Sequence, residues 1–305
     1  ALCFAAVLGL SPPPALALTG GLVLALTVKN PRPELGAKVS GPLLKGSVVL
    51  LGFGMDPVET LRLGAESAVA SVFTITATLA CGFLLGRSLG VGPRTSALIS
   101  SGTAICGGSA IAAVAVTLGA ASGEVAIALG TVFVLNAAAL YLFPSIGELL
   151  SLSGETFGFW AGMAIHDLSS VVGASAQYGE QALQVATAVK LSRTLYIVPV
   201  CFIALWWFQR QSSELGDRKP AMKWPVFVLF FLAASVSRAF IPAVEGLAPT
   251  LTTVARAGLT AALFVIGAGL TPDNLRSLGW RPLAQGALLW LLISVTSLAV
   301  LSLGL

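Results

Sequence analysis

Three short stretches of this chain carry nearly all of its chemically versatile side chains. The first, Ser100-Ser-Gly-Thr-Ala-Ile-Cys-Gly-Gly-Ser109, packs Gly102, Gly107 and Gly108 among hydroxyl residues inside an otherwise apolar run. Glycine and small hydroxyl residues at this density weaken a helix. A break would expose backbone N–H groups and a new helix N-terminus, which suits an anion. The competing reading is close helix packing through small residues. The second stretch, Gly162 to Ser175, holds the only histidine, His166, followed directly by Asp167. Ionisable groups within an apolar span are costly and mark a partner or a wet cavity. Histidine changes protonation near neutral pH, so this pair is a candidate for coupling or gating. A hydrogen-bonded structural histidine is the alternative. The third is Lys190 and Arg193, three residues apart and so on one helix face. They are candidate substrate ligands, together with Cys106, Gly107, Gly108 and Ser109, or else structural charges that fix helix packing.

The elements that must position these groups follow from composition. Of 305 residues, 56% are hydrophobic and 10% charged, and the mean hydropathy is +0.92; a soluble domain carries about 25% charged residues. Apolar runs near the ~20 residues needed to span a bilayer recur from end to end. The expected fold is an all-α integral membrane protein of about 10–11 transmembrane helices, with the lipid bilayer as its solvent. It forms one transporter domain, 1–305, with repeat halves near 12–144 and 157–305. The expected spans are 1–10, 12–28, 43–58, 65–86, 95–118, 124–144, 157–178, 186–208, 224–241, 250–270 and 282–304.

The net charge of +4 reflects loops rather than a nucleic-acid surface. Segments 29–45, 87–94, 209–223 and 271–281 hold most of the Lys and Arg, and this segmentation puts all four at one end of the bundle. The positive-inside rule assigns that end to the cytoplasm of a bacterial inner membrane. The loop near Glu124 then falls on the opposite side. Loop 145–156 falls on the basic side, yet it offers only Glu148 and Glu155. A second pattern, Gly52-Phe-Gly-Met-Asp-Pro57 against Gly267-Ala-Gly-Leu-Thr-Pro272, suggests inverted repeats. Cys3, Cys81, Cys106 and Cys201 all lie in apolar segments without metal-ligand spacing, so neither a metal nor another cofactor is expected.

The elements Ile105-Cys-Gly-Gly-Ser-Ala-Ile111, Phe157-Gly…Gly162…His166-Asp167…Val171-Val-Gly173 and Lys190-x-x-Arg193 resemble, in the same order, the YeiH-type sulfate exporter family of bacteria. The resemblance runs through essentially the whole chain. It implies two inverted repeats with discontinuous helices crossing near the bilayer centre, similar to sodium/proton antiporters and bile-acid symporters. It also implies export of sulfate or small organosulfonates by alternating access. The expected partners are a small anion and a coupling proton or sodium ion, and a homo-oligomer is compatible. The rival readings are a cation/proton antiporter with Asp167 as ion ligand, and an intramembrane enzyme using Cys106 and His166. The leading expectation is a transporter, not an enzyme.

Overall fold

A computed structural model describes residues 13–28, 33–211, 226–269 and 279–302. These residues form helices and turns, with no strand among them. The helices are α1 (Pro14–Val28), α2 (Pro33–Gly52), α3 (Pro57–Ser88), α4 (Pro93–Ala104), α5 (Gly108–Leu118), α6 (Ser122–Leu149) and α7 (Gly154–Ala164). They continue as α8 (Leu168–Tyr178), α9 (Glu180–Thr194), α10 (Ile197–Gln211), α11 (Val226–Phe240), α12 (Pro242–Gly269) and α13 (Trp280–Ser302). Five continuous stretches are long and apolar enough to cross a membrane: Pro57–Ser88, Ser122–Leu149, Glu180–Arg210, Pro242–Gly269 and Trp280–Leu301. The third of them joins α9 and α10 through the turn at Leu195 and Tyr196. The expected span 1–10, much of the loops 209–223 and 271–281, and the end of the Gly267–Pro272 copy lie outside the described residues.

The segments 95–118 and 157–178 behave differently from the spans expected of them. Each breaks at its centre and folds back. At the break after α4 a Cβ on Gly102 would lie 2.8 Å from the Ile111 side chain, whereas residues nine apart in a straight helix are separated by about 13 Å. Gly107 turns the corner at φ +63°, ψ −124°, a conformation that only glycine adopts without strain. α5 then returns beside α10, sharing a buried cluster of Ile111, Val114 and Leu118 with Ile197, Val200 and Leu205. The second reversal is as clear. Phe157 near the start of α7 stacks on Tyr178 at the end of α8, with ring centroids 3.8 Å apart, and the Tyr178 hydroxyl donates to the Leu152 carbonyl at 2.6 Å. Each arm has 11 or 12 residues. At ~1.5 Å per residue that length reaches about halfway across a bilayer.

The two hairpins enter from opposite ends of the bundle. α13 serves as a ruler: Arg281 lies beside Gly90, Gln285 donates to Ser96 Oγ at 2.7 Å, Trp290 lies 6.2 Å from His166 between ring centroids, and the Ser294 carbonyl accepts from Trp160 at 2.9 Å. The α4–α5 hairpin therefore rises from the end marked by Gly90. The α7–α8 hairpin rises from the far end, and the two meet in the middle. α6, about 42 Å long, links one base to the other. Its last turn closes on Phe157 and Tyr178 at Gly147.

This arrangement corrects the sequence-based topology. Because 95–118 turns back, the turn at 119–121 and Glu124 lie at the same end as Arg87, Arg94 and Arg281. Loop 150–153 lies at the other end, beside Asp56, Glu59, Glu155 and Glu180. The acidic loop 145–156 that fitted poorly at the basic end thus belongs with the carboxylates, and the charge asymmetry becomes more consistent. A second difference concerns 33–45, read from sequence as loop. Helix α2 covers it, with Pro42 inside the helix. Antiparallel packing on α12 compensates: Gly36 approaches Val265 and Gly258 approaches Ser47.

In a cysteine-free background, a membrane-impermeant maleimide applied to intact cells should label cysteine at position 151 or 179 from one face and spare 92 and 120. Labelling of 120 and 151 from the same face would rule out the reversal of the first hairpin.

Candidate functional site

The tips of the two hairpins touch. A Cβ on Gly107 would lie 3.3 Å from Asp167 Cα and 3.4 Å from the His166 carbonyl oxygen. Four helix ends therefore converge here: the C-termini of α4 and α7 and the N-termini of α5 and α8. Backbone carbonyls at the first two ends and N–H groups at the second two lack partners within their own helices.

α9 supplies the carbonyl partners. It passes the junction with Lys190 and Arg193, both fully buried. Arg193 donates to the Ala104 carbonyl, the last of α4, and to Thr74 Oγ1 at 2.9 Å. Lys190 donates to the carbonyl of Ile165, the residue that ends α7. Each cation thus sits at the negative pole of one incoming half-helix, where a positive charge is most stabilising. Both cations bond to the backbone of the protein's own hairpins. α9 is held in place by α7, which runs parallel to it. Gly158 and Gly162 face Val185 and Val189, so close that an added Cβ would lie 2.7 and 2.9 Å from the valine Cβ atoms.

The N-terminal ends differ from each other. At α8, Asp167 occupies the N-cap position with extended backbone, φ −102°, ψ 144°. Its carboxylate accepts from the Ser169 hydroxyl. At α5, Gly107 stands in the N-cap position and brings no side chain. The first intrahelical bond of α5 is Ile111 N–H to the Gly107 carbonyl at 3.1 Å, so the N–H groups of Gly108, Ser109 and Ala110 precede it. Ser109 is exposed and Gly108 half-buried. Cys106 is buried just before them. The candidate residues Cys106, Gly107, Gly108, Ser109, His166 and Asp167 therefore belong to one junction, with Lys190 and Arg193 behind it.

Sequence reasoning passed over Asn136. It lies midway along α6, 3% exposed, and its Oδ1 accepts the Asp167 N–H at 3.2 Å. Its Nδ2 has no partner among the described residues, nor do the two ring nitrogens of His166 or the Trp290 Nε1. The available signal was a carboxamide isolated in an apolar run. A further internal repeat lies at the tips themselves. Gly102-Thr-Ala-Ile-Cys-Gly-Gly-Ser-Ala-Ile111 and Gly162-Met-Ala-Ile-His-Asp-Leu-Ser-Ser-Val171 share Gly, Ala, Ile and Ser at matching positions, and they form the two tips. Each hairpin is followed by a membrane-crossing stretch, α6 or α9–α10, so the unit recurs with inverted direction. A cleft of about 280 Å³ lined by Asp56, Glu59, Arg62, Glu155 and Gln184 opens at the acidic end. Its lining includes none of the tip residues.

Fold and site together define a multi-span α-helical membrane protein with paired, oppositely directed half-membrane hairpins. The chain belongs to the family described as "Conserved hypothetical protein 698", which matches residues 5–286. The YeiH-type proteins are this same family. A UPF0324 membrane protein of Bdellovibrio bacteriovorus is 46% identical over 291 residues, covering 95% of this chain and 89% of the relative. One from Bacteroides thetaiotaomicron is 45% identical, covering 95% and 86%. One from Geobacter sulfurreducens is 46% identical, covering 95% and 91%. These names state membrane residence and no substrate. No solved structure matches the chain.

Proposed function

We propose that the chain is a secondary transporter that exports small anions, sulfate or organosulfonates, across the bacterial inner membrane. The observation that carries this reading is the meeting of two inverted hairpins at mid-depth with the bare N-terminus of α5 at their junction. Inverted repeats with half-helix ends at the bilayer midplane suit alternating access, since one barrier can open as the other closes. Oriented N–H groups suit an oxyanion. In this reading the basic end faces the cytoplasm. The substrate contacts the backbone of Cys106–Ser109; Lys190 and Arg193 hold the hairpins and add positive potential behind them. His166 and Asp167 form the gating or coupling pair, with a proton or sodium as the ion. The reading includes no catalytic step.

The sign of the buried side chains supports the same reading. Lys190 and Arg193 outnumber the single carboxylate of Asp167 at the junction. A cation/proton antiporter would place its ion beside these two basic side chains, which disfavour a cation in a medium of intermediate dielectric.

Proteoliposomes containing the purified chain should accumulate labelled sulfate or sulfonate against an anion gradient and leave labelled sodium uptake without anion at background. Sodium-for-proton exchange without anion dependence would overturn the reading. Within the same assay Gly107→Ala should reduce transport by about tenfold or more, because a non-glycine residue there is strained by about 1–3 kcal/mol and its Cβ presses on Asp167. Gly108→Ala, whose Cβ would have its nearest neighbour at 3.5 Å, should retain most of the activity.

A further inference from the structure

The helices fall into two bodies. α1, α2, α11 and α12 pack on one another, and the two hairpins pack with α3, α6, α9, α10 and α13. Inside each body glycines bring backbones together. Gly21 abuts the Phe264 carbonyl, Gly267 the Leu18 carbonyl and Gly52 the Phe231 carbonyl in the first; Gly158 and Gly162 abut the Ala182 and Ala186 carbonyls in the second. The boundary between the bodies is looser. α8 lies along it, and a Cβ on Gly173 would meet side-chain carbons there, Leu263 Cδ1 at 3.1 Å and Pro14 Cβ at 3.3 Å. Side-chain contacts of this kind can slide, whereas helices in backbone contact move as a unit.

At the acidic end the boundary is tied by charge. Arg256 of α12 forms an ion pair with Glu180, the first residue of α9. Beneath the pair lies a pocket of about 20 Å³, lined by Leu51, Met55, Gln184, Thr187 and Thr252, with room for about one water. Met55 and Gln184 also line the cleft of about 280 Å³ that opens at the same end. Glu180, Gln184 and Thr187 share one face of α9. Thr187 is fully buried, and Lys190 follows it by three residues, about 4.5 Å along the axis. The seam between the bodies thus runs from an open cleft, under the ion pair, to within one turn of the hairpin junction.

We infer that the Arg256–Glu180 pair is the latch of the barrier at the acidic end: it joins the two bodies over this seam, and its release lets them part and opens the junction to that side. Both side chains are about half exposed, and an exposed ion pair is weak. A weak tie suits a contact that breaks and re-forms in every cycle. The place of the latch in such a cycle, with one body moving against the other, rests on the transporter reading above.

In a cysteine-free background Thr187→Cys reports on the seam through its rate of modification by a membrane-impermeant maleimide, applied from the face that labels position 179. Glu180→Gln and Arg256→Gln should each raise that rate by about twofold to fivefold, the range for losing an exposed pair. Glu180→Arg sets two guanidinium groups together and should raise it further, by about tenfold. Adding Arg256→Glu to Glu180→Arg should bring the rate back toward the parent value. The exchange guards against a loosened or poorly folded variant, which swapping the charges would not repair. Unchanged rates in the single variants, or a swapped protein as reactive as Glu180→Arg, overturn the inference. A second arm ties the latch shut: Glu180→Cys with Arg256→Cys, joined by a flexible bismaleimide in proteoliposomes, should lose most of the sulfate or methanesulfonate transport of the unlinked protein. Undiminished transport by fully linked protein also overturns the latch. Absence of transport by the wild-type chain overturns the transporter reading instead, and the labelling rates still decide the latch.

Discussion

Arg193→Gln should lower the stability of the purified protein by about 2–4 kcal/mol, and Arg193→Lys by roughly half as much. The guanidinium is fully buried and donates to the terminal carbonyl of α4 and to Thr74. Glutamine is too short to reach both, and it leaves the α4 carbonyl without a donor in an interior that water does not reach. A buried acceptor left in that state costs about 1–3 kcal/mol, and the positive charge at a helix C-terminus adds up to about 2 kcal/mol. Lysine keeps the charge and gives up the second bond. Lys190→Gln should cost less than Arg193→Gln, because the ammonium has one partner of this kind, the Ile165 carbonyl. Thermal unfolding in detergent measures the loss, and anion titration of the same samples separates the two roles open to these cations. If they position the hairpins, melting falls and the folded fraction keeps much of its affinity. Unchanged melting with lost affinity would return them to the substrate.

The membrane class and the weak point at 102–109 were legible because both are written in composition. Long apolar runs have one physical solution in lipid, and three glycines among hydroxyl residues do not sustain a mid-membrane helix. The reversals were not legible from hydropathy, since two half-membrane helices in series have the length and apolarity of one spanning helix. What distinguishes them is a three-residue turn, Ile105–Gly107 in one copy and Ile165–Asp167 in the other. The misfit of Glu148 and Glu155 at the basic end was the trace these turns left in the sequence. Two spans read as crossing shifted the intervening loops to the wrong ends, and the errors cancelled beyond Tyr178. The charge pattern of the outer loops therefore stayed consistent while the middle was inverted.

The bonding partners of Lys190 and Arg193 were hidden for a different reason. Their spacing placed them on one face of a helix, and that face is where they lie. Sequence spacing within α9 does not say which foreign backbone the face meets. The partners are carbonyls at Ala104 and Ile165, groups that every residue carries and that acquire meaning only where a helix stops. Asn136 was hidden likewise, since its partner is the backbone N–H of Asp167.

The largest steric effect should come from the glycines that let α7 approach α9. Gly158→Val and Gly162→Val should each abolish most of the recovery of folded protein, and Gly158→Ala should still lower the melting temperature measurably. A Cβ at Gly158 would lie 2.7 Å from Val185 Cβ and 2.9 Å from the Ala182 carbonyl oxygen; at Gly162 the corresponding distances are 2.9 Å to Val189 Cβ and 3.0 Å to the Ala186 carbonyl oxygen. Two of these four neighbours are backbone, and the valine Cβ atoms are fixed to theirs, so no rotamer change makes room. The helices must separate, and overpacking of this kind costs about 1–3 kcal/mol for a methyl and more for a branched side chain. Separation also draws Lys190 away from Ile165, so the steric cost is joined by an unpaired buried cation. Gly154, one turn nearer the base of the hairpin, gives the internal comparison. Its Cβ would meet the Gln181 side-chain oxygen at 3.0 Å, the mobile end of a flexible group, and Gly154→Ala should be tolerated. Gly123→Val, where nothing lies within 4 Å, controls for valine in a helix. Yield of monodisperse protein and its melting temperature decide the matter; Gly158→Val and Gly123→Val that match in both would mean that α7 and α9 do not pack as closely as this arrangement requires.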